Sequence, residues 1–195
     1  MPQIQTDIDY CLFPTAIGAC AIAWGVRGIV AVQLPAAHES HTRARLLRML
    51  AGGARPARAP PHVRRVIDDI VALLDGQRRD LLDAVLDMNG LSAFQRRVYE
   101  ITRTIAPGNT LSYGEVAARC GEAGAARAVG QALGRNPFPV IVPCHRVLAA
   151  GGRSGGFSAP GGVTTKLRLL DLEGALGALA RSDKAGAHGN LALPF

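Results

Sequence analysis

Long apolar runs and clustered cysteines are both scarce in this chain of 195 residues. No apolar stretch approaches the roughly 20 residues that a membrane-spanning helix needs. Residues 1–7 lack the basic region and apolar core of a secretory signal. The sequence therefore predicts a cytoplasmic protein that makes no membrane contact.

Cysteine is too sparse for a disulfide-stapled secreted domain, since the chain has only four and no Cys-x-x-Cys pair. The candidate zinc ligands are two cysteines and three histidines, namely Cys11, Cys20, His38, His41 and His62. Their spacing fits no usual zinc pattern. No metal is expected.

Lysine is also scarce, with two residues against twenty arginines, and the formal net charge is +7. Residues 1–88 carry ten Arg and nine Asp or Glu, whereas residues 89–195 carry twelve basic and six acidic residues. The basic excess therefore belongs to the second half, which favours a polyanionic partner there. A basic but inert surface is the alternative.

The first half has the pattern of a small α/β scaffold. Short apolar runs at 8–13, 19–24 and 28–34, separated by Pro14 and glycines, predict an antiparallel sheet. Helices are predicted at 39–50, with Ala44, Leu47 and Leu50 inward, and from residue 63 to about 76. The Gly- and Pro-rich segment 52–61 between them is predicted to be a loop.

A domain boundary is expected near residues 88–90, after which helix signals dominate. Ser-x-x-Gln and Ser-x-x-Glu capping boxes at Ser92 and Ser112 predict two helix starts. A helix over 125–133 follows the second, and two short helices joined by a Gly-containing turn are typical of a helix-turn-helix. A last helix is predicted over 164–173.

The helix at 125–133 is rich in small residues around a single arginine, Arg127. Small side chains such as Ala126, Ala128 and Gly130 would let the helix backbone approach a DNA groove closely, leaving Arg127 to enter the duplex. The alternative is that the alanines pack against a neighbouring helix.

Residues 136–147 contain the most informative segment, in which prolines punctuate a short apolar run that ends in Cys144 and His145. Val140–Val142 is predicted to be a buried strand that holds Cys144 rigidly, as a nucleophile requires. An ordinary buried cysteine is the alternative. Glu173 lies in the last turn of the final helix, where a carboxylate opposes the helix dipole, and this exception hints at function.

Taken in order, these motifs resemble the O6-alkylguanine-DNA alkyltransferases, which remove alkyl groups from DNA bases. The residues that carry the resemblance are Ser112–Glu115, Ala126–Gly130, Asn136–Pro137, Pro143–Val147 and Leu172–Gly174. The family implies a ribonuclease H-like α/β domain over 1–88 and a mainly α, winged-helix-like domain over 89–180. A loosely ordered tail is expected over 181–195.

The resemblance also implies a role for each catalytic residue. Cys144 would accept the alkyl group and His145 would draw its proton through a water. Glu173 would orient the histidine, Asn136 would brace the turn, and Tyr113 would assist departure of guanine. No cofactor is implied, and the thioether product implies a single turnover.

The implied partner is double-stranded DNA with alkylated bases, bound through its minor groove by a monomer. Arg127 would fill the space of the flipped nucleotide, and Ser112 would join the small residues of the Arg127 helix at the DNA. The residues expected around the base are Val147, Ser158, Phe157 and Pro139. The arginine-rich composition suggests a bacterial protein, associated with the nucleoid when acting.

One departure and three rival functions accompany this interpretation. Ala159 and Pro160 interrupt the family's usual aromatic-Ser-Gly-Gly loop, so we expect an altered tolerance for bulky adducts.

The rival functions are a non-catalytic DNA-binding relative, a cysteine hydrolase and a transcriptional regulator. Cys144 argues against the first, and the second lacks an oxyanion-hole motif. The third leaves the cysteine, histidine and glutamate unexplained.

Overall fold

The computed structural model describes residues 8–51 and 53–176, and the predicted tail at 181–195 lies outside them. Over the described residues the elements are β1 (Ile8–Thr15), β2 (Gly18–Gly25), β3 (Gly28–Gln33), α1 (Glu39–Met49), β4 (Ala54–Pro56), α2 (Pro61–Leu74), α3 (Ala93–Arg103), β5 (Leu111–Ser112), α4 (Tyr113–Arg119), α5 (Ala126–Gly134), β6 (Val147–Leu148) and α6 (Gly162–Leu172). Short 3-10 turns occupy Cys144–Arg146 and Ala150–Gly152.

The first half forms a four-stranded sheet in the order β3-β2-β1-β4. The three predicted strands are confirmed and pair antiparallel, but β4 pairs parallel with β1, so the sheet is mixed. The predicted loop at 52–61 is therefore wrong over Ala54–Pro56. Pro14 is not a turn residue either, because it pairs with Ala19 where β1 has no β4 partner and no N–H is needed.

Two helices pack beside this sheet. In α2 the apolar stripe is as predicted, with Val63, Ile67 and Ile70 fully or nearly fully buried. In α1 the predicted face is right only in part: Leu47 and Leu50 are half-buried against the core, but Ala44 is exposed, and Thr42 and Leu46 are the fully buried residues. The hydroxyl of Thr42 accepts a hydrogen bond from the amide of residue 36, which makes this polar residue part of the packed face.

Helices dominate the second half, and both predicted capping boxes are present. The Ser92 hydroxyl accepts from the Gln95 amide at the start of α3, and Ser112 accepts from the Glu115 amide at the start of α4. Residues 120–125 join α4 to α5, and these two helices pack against each other. The predicted helix-turn-helix pair is therefore formed.

Val140–Val142 is buried as expected, but it is not a strand. Val140 has a left-handed φ of +74°, and the Val142 amide donates to the Phe138 carbonyl at 2.8 Å. The segment is a compact turn rather than an extended run. Pro137, Pro139 and Pro143 around it have no N–H to offer a neighbouring strand.

The two halves share one hydrophobic core, which contains Trp24 and Ile70 of the first half and Val98 and Phe138 of the second. Strand β3 also bonds directly to the turn that precedes Cys144, since the Val32 amide donates to the Pro137 carbonyl at 2.8 Å. The scaffold thus fixes the position of the cysteine. Across the part of the chain that the structure describes, no helix is long and apolar enough to cross a membrane.

Candidate active site

Cys144 opens a 3-10 turn and is 8% exposed. Asn136 holds the residues before it, because its side-chain amide donates to the Val142 carbonyl and accepts from the Phe138 amide, both at 2.9 Å. These two bonds replace backbone pairing that a proline-rich turn cannot supply. The cysteine is therefore fixed at the end of a braced turn.

A buried charged cluster lies directly after the cysteine. His145 Nε2 is 2.9 Å from Glu173 Oε1, and the Arg146 guanidinium grips the same carboxylate at 2.8 and 2.7 Å. The side chains of these residues are 1–3% exposed. Because they are adjacent in sequence, His145 and Arg146 both reach the carboxylate of Glu173, which lies at the C-cap of α6.

Protonation states in the cluster follow from its surroundings. Burial alone would raise the pKa of Glu173, but the bonds from His145 and Arg146 outweigh it and hold that pKa at about 2. Burial lowers the pKa of His145, so its imidazole is neutral at pH 7. Nε2 then donates to the ionised carboxylate, which leaves Nδ1 as an acceptor. Nδ1 is buried and has no hydrogen-bond partner among the described residues.

Burial raises the pKa of the Cys144 thiol, opposed by a hydrogen bond from Asn136 and the charge of Lys166. At neutral pH the sulfur therefore carries its proton and needs a base in order to react. His145 is the neutral base next to it. The two groups have the protonation states that proton transfer from thiol to imidazole requires.

Lys166 was missed by the sequence reasoning. It is fully buried, its ammonium donates to the Val147 carbonyl at 2.6 Å, and it lies 5.8 Å from the Tyr113 ring centroid. Burial lowers its pKa to about 8, while Cys144 acts in the opposite direction. A signal was present, because position 166 falls on the apolar stripe with Leu169 and Leu170. Arg146 was also missed, and no sequence pattern marked it as a partner of Glu173.

Two cavities meet at Cys144 and share Gly134, Phe157 and Ser158 in their walls. The first, of about 570 Å³, also contains Tyr113, Arg127 and Gly130. The second, of about 240 Å³, lies on the side of β3 and α1 and contains Pro139. Val147 lines neither cavity, because its side chain belongs to the core beside Leu111.

Tyr113 begins α4 and stands in the first cavity between two glycines. A Cβ added at Gly130 would meet the ring at 3.8 Å, an ordinary contact, whereas one at Gly155 would meet it at 3.2 Å. Gly155 also has a φ of +65°, which favours glycine. Burial, followed by the charge of Cys144, raises the pKa of Tyr113, so the phenol keeps its proton as a donor.

On α5, Arg127 is exposed at the mouth of the first cavity, flanked by half-buried Ala126 and Ala128. Ser112 is committed to the α4 cap, through its hydroxyl and its backbone amide. The structure therefore brings Arg127 to the Cys144 cavity and uses the Ser112 hydroxyl within the fold.

The inserted Ala159–Pro160 pair forms the turn that leads into α6. The Pro160 carbonyl accepts from the Thr165 hydroxyl at 2.6 Å, and the Ala159 carbonyl accepts from the Gly162 amide at 3.0 Å. Ala159 itself lines the second cavity. Elsewhere, no group of three or more His, Cys, Asp or Glu side chains within the described ranges could hold a metal ion.

Comparison with known proteins agrees with this geometry. Residues 93–175 match the family model of the 6-O-methylguanine DNA methyltransferase DNA-binding domain. The chain is 38% identical to a methylated-DNA–protein-cysteine methyltransferase of Methanothermobacter thermautotrophicus, over 78% of each chain. It is 46% identical to a DNA base-flipping protein of Thermus thermophilus, over 57% of this chain and 74% of that one.

Among solved structures, the fold is similar to that of the Mycobacterium tuberculosis protein OGT in complex with DNA. The TM-score is 0.67 at 34% sequence identity, and the superposition covers 86% of this chain and 93% of the other. The likeness includes the mixed sheet as well as the helical second half.

Proposed function

The chain belongs to the methylated-DNA–protein-cysteine methyltransferase family, and we propose that it repairs O6-alkylguanine in DNA by transferring the alkyl group to its own Cys144. O4-alkylthymine is a second expected substrate. The observation that carries this proposal is a buried cysteine followed directly by a neutral histidine whose far nitrogen is bonded to an ionised glutamate. That arrangement supplies a nucleophile, a base and an orienting carboxylate.

The reaction is a displacement at the alkyl carbon. The Cys144 thiol gives its proton to His145 Nδ1 through a water, and the sulfur forms a bond to carbon as the bond from carbon to O6 breaks. The electron pair of that bond passes to guanine, which takes a proton donated by the Tyr113 phenol. Glu173 stabilises the imidazolium that forms. The thioether has no good leaving group, so each protein molecule acts once.

Recognition is proposed to occur at the α5 face. A base inside a duplex cannot reach a buried sulfur unless its nucleotide is flipped out of the stack. Arg127, at the mouth of the cavity that contains Tyr113 and Cys144, is positioned to occupy the space left behind. The half-buried small residues of α5 would allow its backbone to lie in the minor groove. A single protein chain would suffice for this contact.

The proposed organisation follows from these roles. Residues 1–88 form a scaffold and residues 89–180 contain the DNA-binding surface and the acceptor cysteine. We place its action in the bacterial cytoplasm, at the nucleoid.

Intact-mass spectrometry after incubation with a duplex containing O6-methylguanine tests the proposal. The expected result is a gain of one methyl group, mapped to Cys144 by peptide digestion, and at most one transfer per molecule. Tight binding with no adduct would instead identify a non-catalytic base-flipping protein. Many turnovers per molecule would identify an ordinary enzyme, and either result would contradict the proposal.

A further inference from the structure

A second cavity lies beside Cys144, on the side of β3 and α1. Its walls come from both halves of the protein: Arg45 and Met49 from α1, Val32 from β3, and Arg135 just after α5. It meets the cleft that contains Tyr113 and Arg127 at Cys144. A methyl group would need none of this space.

The geometry of displacement indicates what the cavity can receive. The attacking sulfur, the reacting carbon and the leaving oxygen lie in line, so any further atoms of the alkyl group project to the side of that line. Under the proposed function the flipped base enters the cavity that contains Tyr113 and Arg127, which leaves the second cavity for the substituent. Its volume of about 240 Å³ compares with about 30 Å³ for one water in the liquid. Several non-hydrogen atoms therefore fit.

The charge of this cavity is one-sided. Arg45 and Arg135 line it, and a groove of about 340 Å³ continues outward past Gln33, Arg45 and Arg48. Within residues 8–51 and 53–176, no Asp or Glu lines either space. Among the described residues none of these three arginines forms an ion pair. A small anionic group entering from Cys144 would therefore meet guanidinium groups that have no competing carboxylate.

We propose that this cavity receives alkyl groups that end in a carboxylate, with Arg45 and Arg135 as the residues that select them. The simplest such adduct is O6-carboxymethylguanine. The proposal rests on the proposed function, since the carboxymethyl carbon moves from O6 to the Cys144 sulfur by the same displacement. The thiol proton passes to His145 and guanine departs as before.

Single-turnover rates on three duplexes separate size from charge. They contain O6-methyl-, O6-carboxymethyl- or O6-carbamoylmethylguanine, and the last two have nearly the same size but differ by one negative charge. We expect the carboxymethyl group to be transferred faster than the carbamoylmethyl group. Equal rates, or a faster carbamoylmethyl transfer, would overturn the proposal.

Variants of the lining arginines then locate the effect. Both arginines are partly in water, so Arg45→Gln and Arg135→Gln should each lower the carboxymethyl-to-carbamoylmethyl rate ratio by about threefold, and Arg45→Glu by more. Arg43→Gln is the matched control, because Arg43 is on the same helix but pairs with Glu39 on the exposed face.

Two further outcomes are distinct. If Arg45→Gln slows all three transfers equally, the carboxymethyl-to-carbamoylmethyl rate ratio is unchanged. Arg45 then contacts DNA phosphates and the proposal is wrong. If the unmodified protein transfers no methyl group at all, the proposed function fails instead. The methyl duplex therefore separates the failure of the specificity proposal from the failure of the reaction.

Discussion

The buried cluster around Cys144 and the exposed face of α5 contrast in almost every physical property. Cys144, His145 and Glu173 are shielded from water and fixed by hydrogen bonds to neighbours of known charge. Arg127 is exposed on α5, where its neighbours Ala126 and Ala128 are small. The reactive groups are thus positioned before DNA binds, whereas the groups proposed for recognition face water until DNA covers them.

This difference has energetic consequences. Buried charges are costly to leave unpaired, so a change in the cluster should affect both reaction and stability. An exposed arginine has little influence on folding, so changing Arg127 should affect duplex substrates alone. Variants can therefore be sorted by whether their effect needs DNA.

The largest expected effect is that of Cys144→Ser. A hydroxyl is far less acidic than a thiol and His145 cannot ionise it to a useful extent, so alkyl transfer should be abolished. Mass spectrometry would show no adduct, and the dissociation constant for the alkylated duplex should stay within about twofold of the original. Cys120→Ser is the control, because Cys120 is also buried but lies outside both cavities. Residual transfer in Cys144→Ser would show that another residue is the acceptor.

Glu173→Gln should have the next largest effect. An amide carries no charge to stabilise the imidazolium. The rate of alkyl transfer should therefore fall, by up to the about 10²–10⁴-fold that general-base catalysis contributes. The loss should be equal for a duplex and for a free O6-alkylguanine base, because the cluster acts after recognition. Asp171→Asn, an exposed change on α6, should leave both rates unaltered. A loss confined to duplex DNA would assign Glu173 to recognition instead.

The same carboxylate makes stability depend on pH. Its pKa of about 2 lies below the ordinary value of 4.5, so its stabilisation is complete above pH 4.5 and is lost as pH falls towards 2. The difference between these two pKa values corresponds to about 3 kcal/mol in the free energy of unfolding. Denaturant titrations between pH 5 and 3 should show a steep fall that is smaller in Glu173→Gln. The same slope in both proteins would mean that other carboxyl groups dominate acid unfolding.

The sequence predicted the features that depend on local pattern. Helix starts at Ser92 and Ser112 were readable because a capping box satisfies backbone donors within four residues. The turn at Val140 could not be predicted from the local pattern. Side-chain hydrogen bonds of Asn136 and tertiary burial override the preference of the prolines for an extended backbone. Strand β4 likewise forms only because β1 offers a free edge.

Within the site, single residues were predicted more readily than their connections. Cys144, His145 and Glu173 were recognisable from the sequence. The hydrogen bond from Arg146 to Glu173 was not, because it joins residues that are 27 positions apart and no local pattern marks it. The contribution of α1 to the second cavity was equally hidden, since Arg45 is about 100 residues from Cys144 in sequence. Long-range pairing of this kind requires the fold.

Arg127→Ala should have an intermediate effect that depends on DNA. Loss of the group that replaces the flipped nucleotide should slow repair of duplex substrate by about 10–100-fold, since unstacking costs a few kcal/mol. Reaction with a free base analogue should change less than twofold. Arg119→Ala, the other exposed arginine of the helix pair, is the matched control. Equal losses on both substrates would remove Arg127 from the flipping role.

The smallest expected effect concerns Ser112, which the resemblance assigned to DNA but whose hydroxyl caps α4. Ser112→Ala should lower the free energy of unfolding by about 1 kcal/mol. Ser92→Ala removes the same cap from α3, away from the cavities, and should cost a similar amount. If Ser112 serves the fold alone, the two variants bind duplex equally well once both are folded. A larger dissociation constant for Ser112→Ala alone would show that the Ser112 hydroxyl also contacts the DNA backbone. One residue would then serve both the fold and the recognition of DNA.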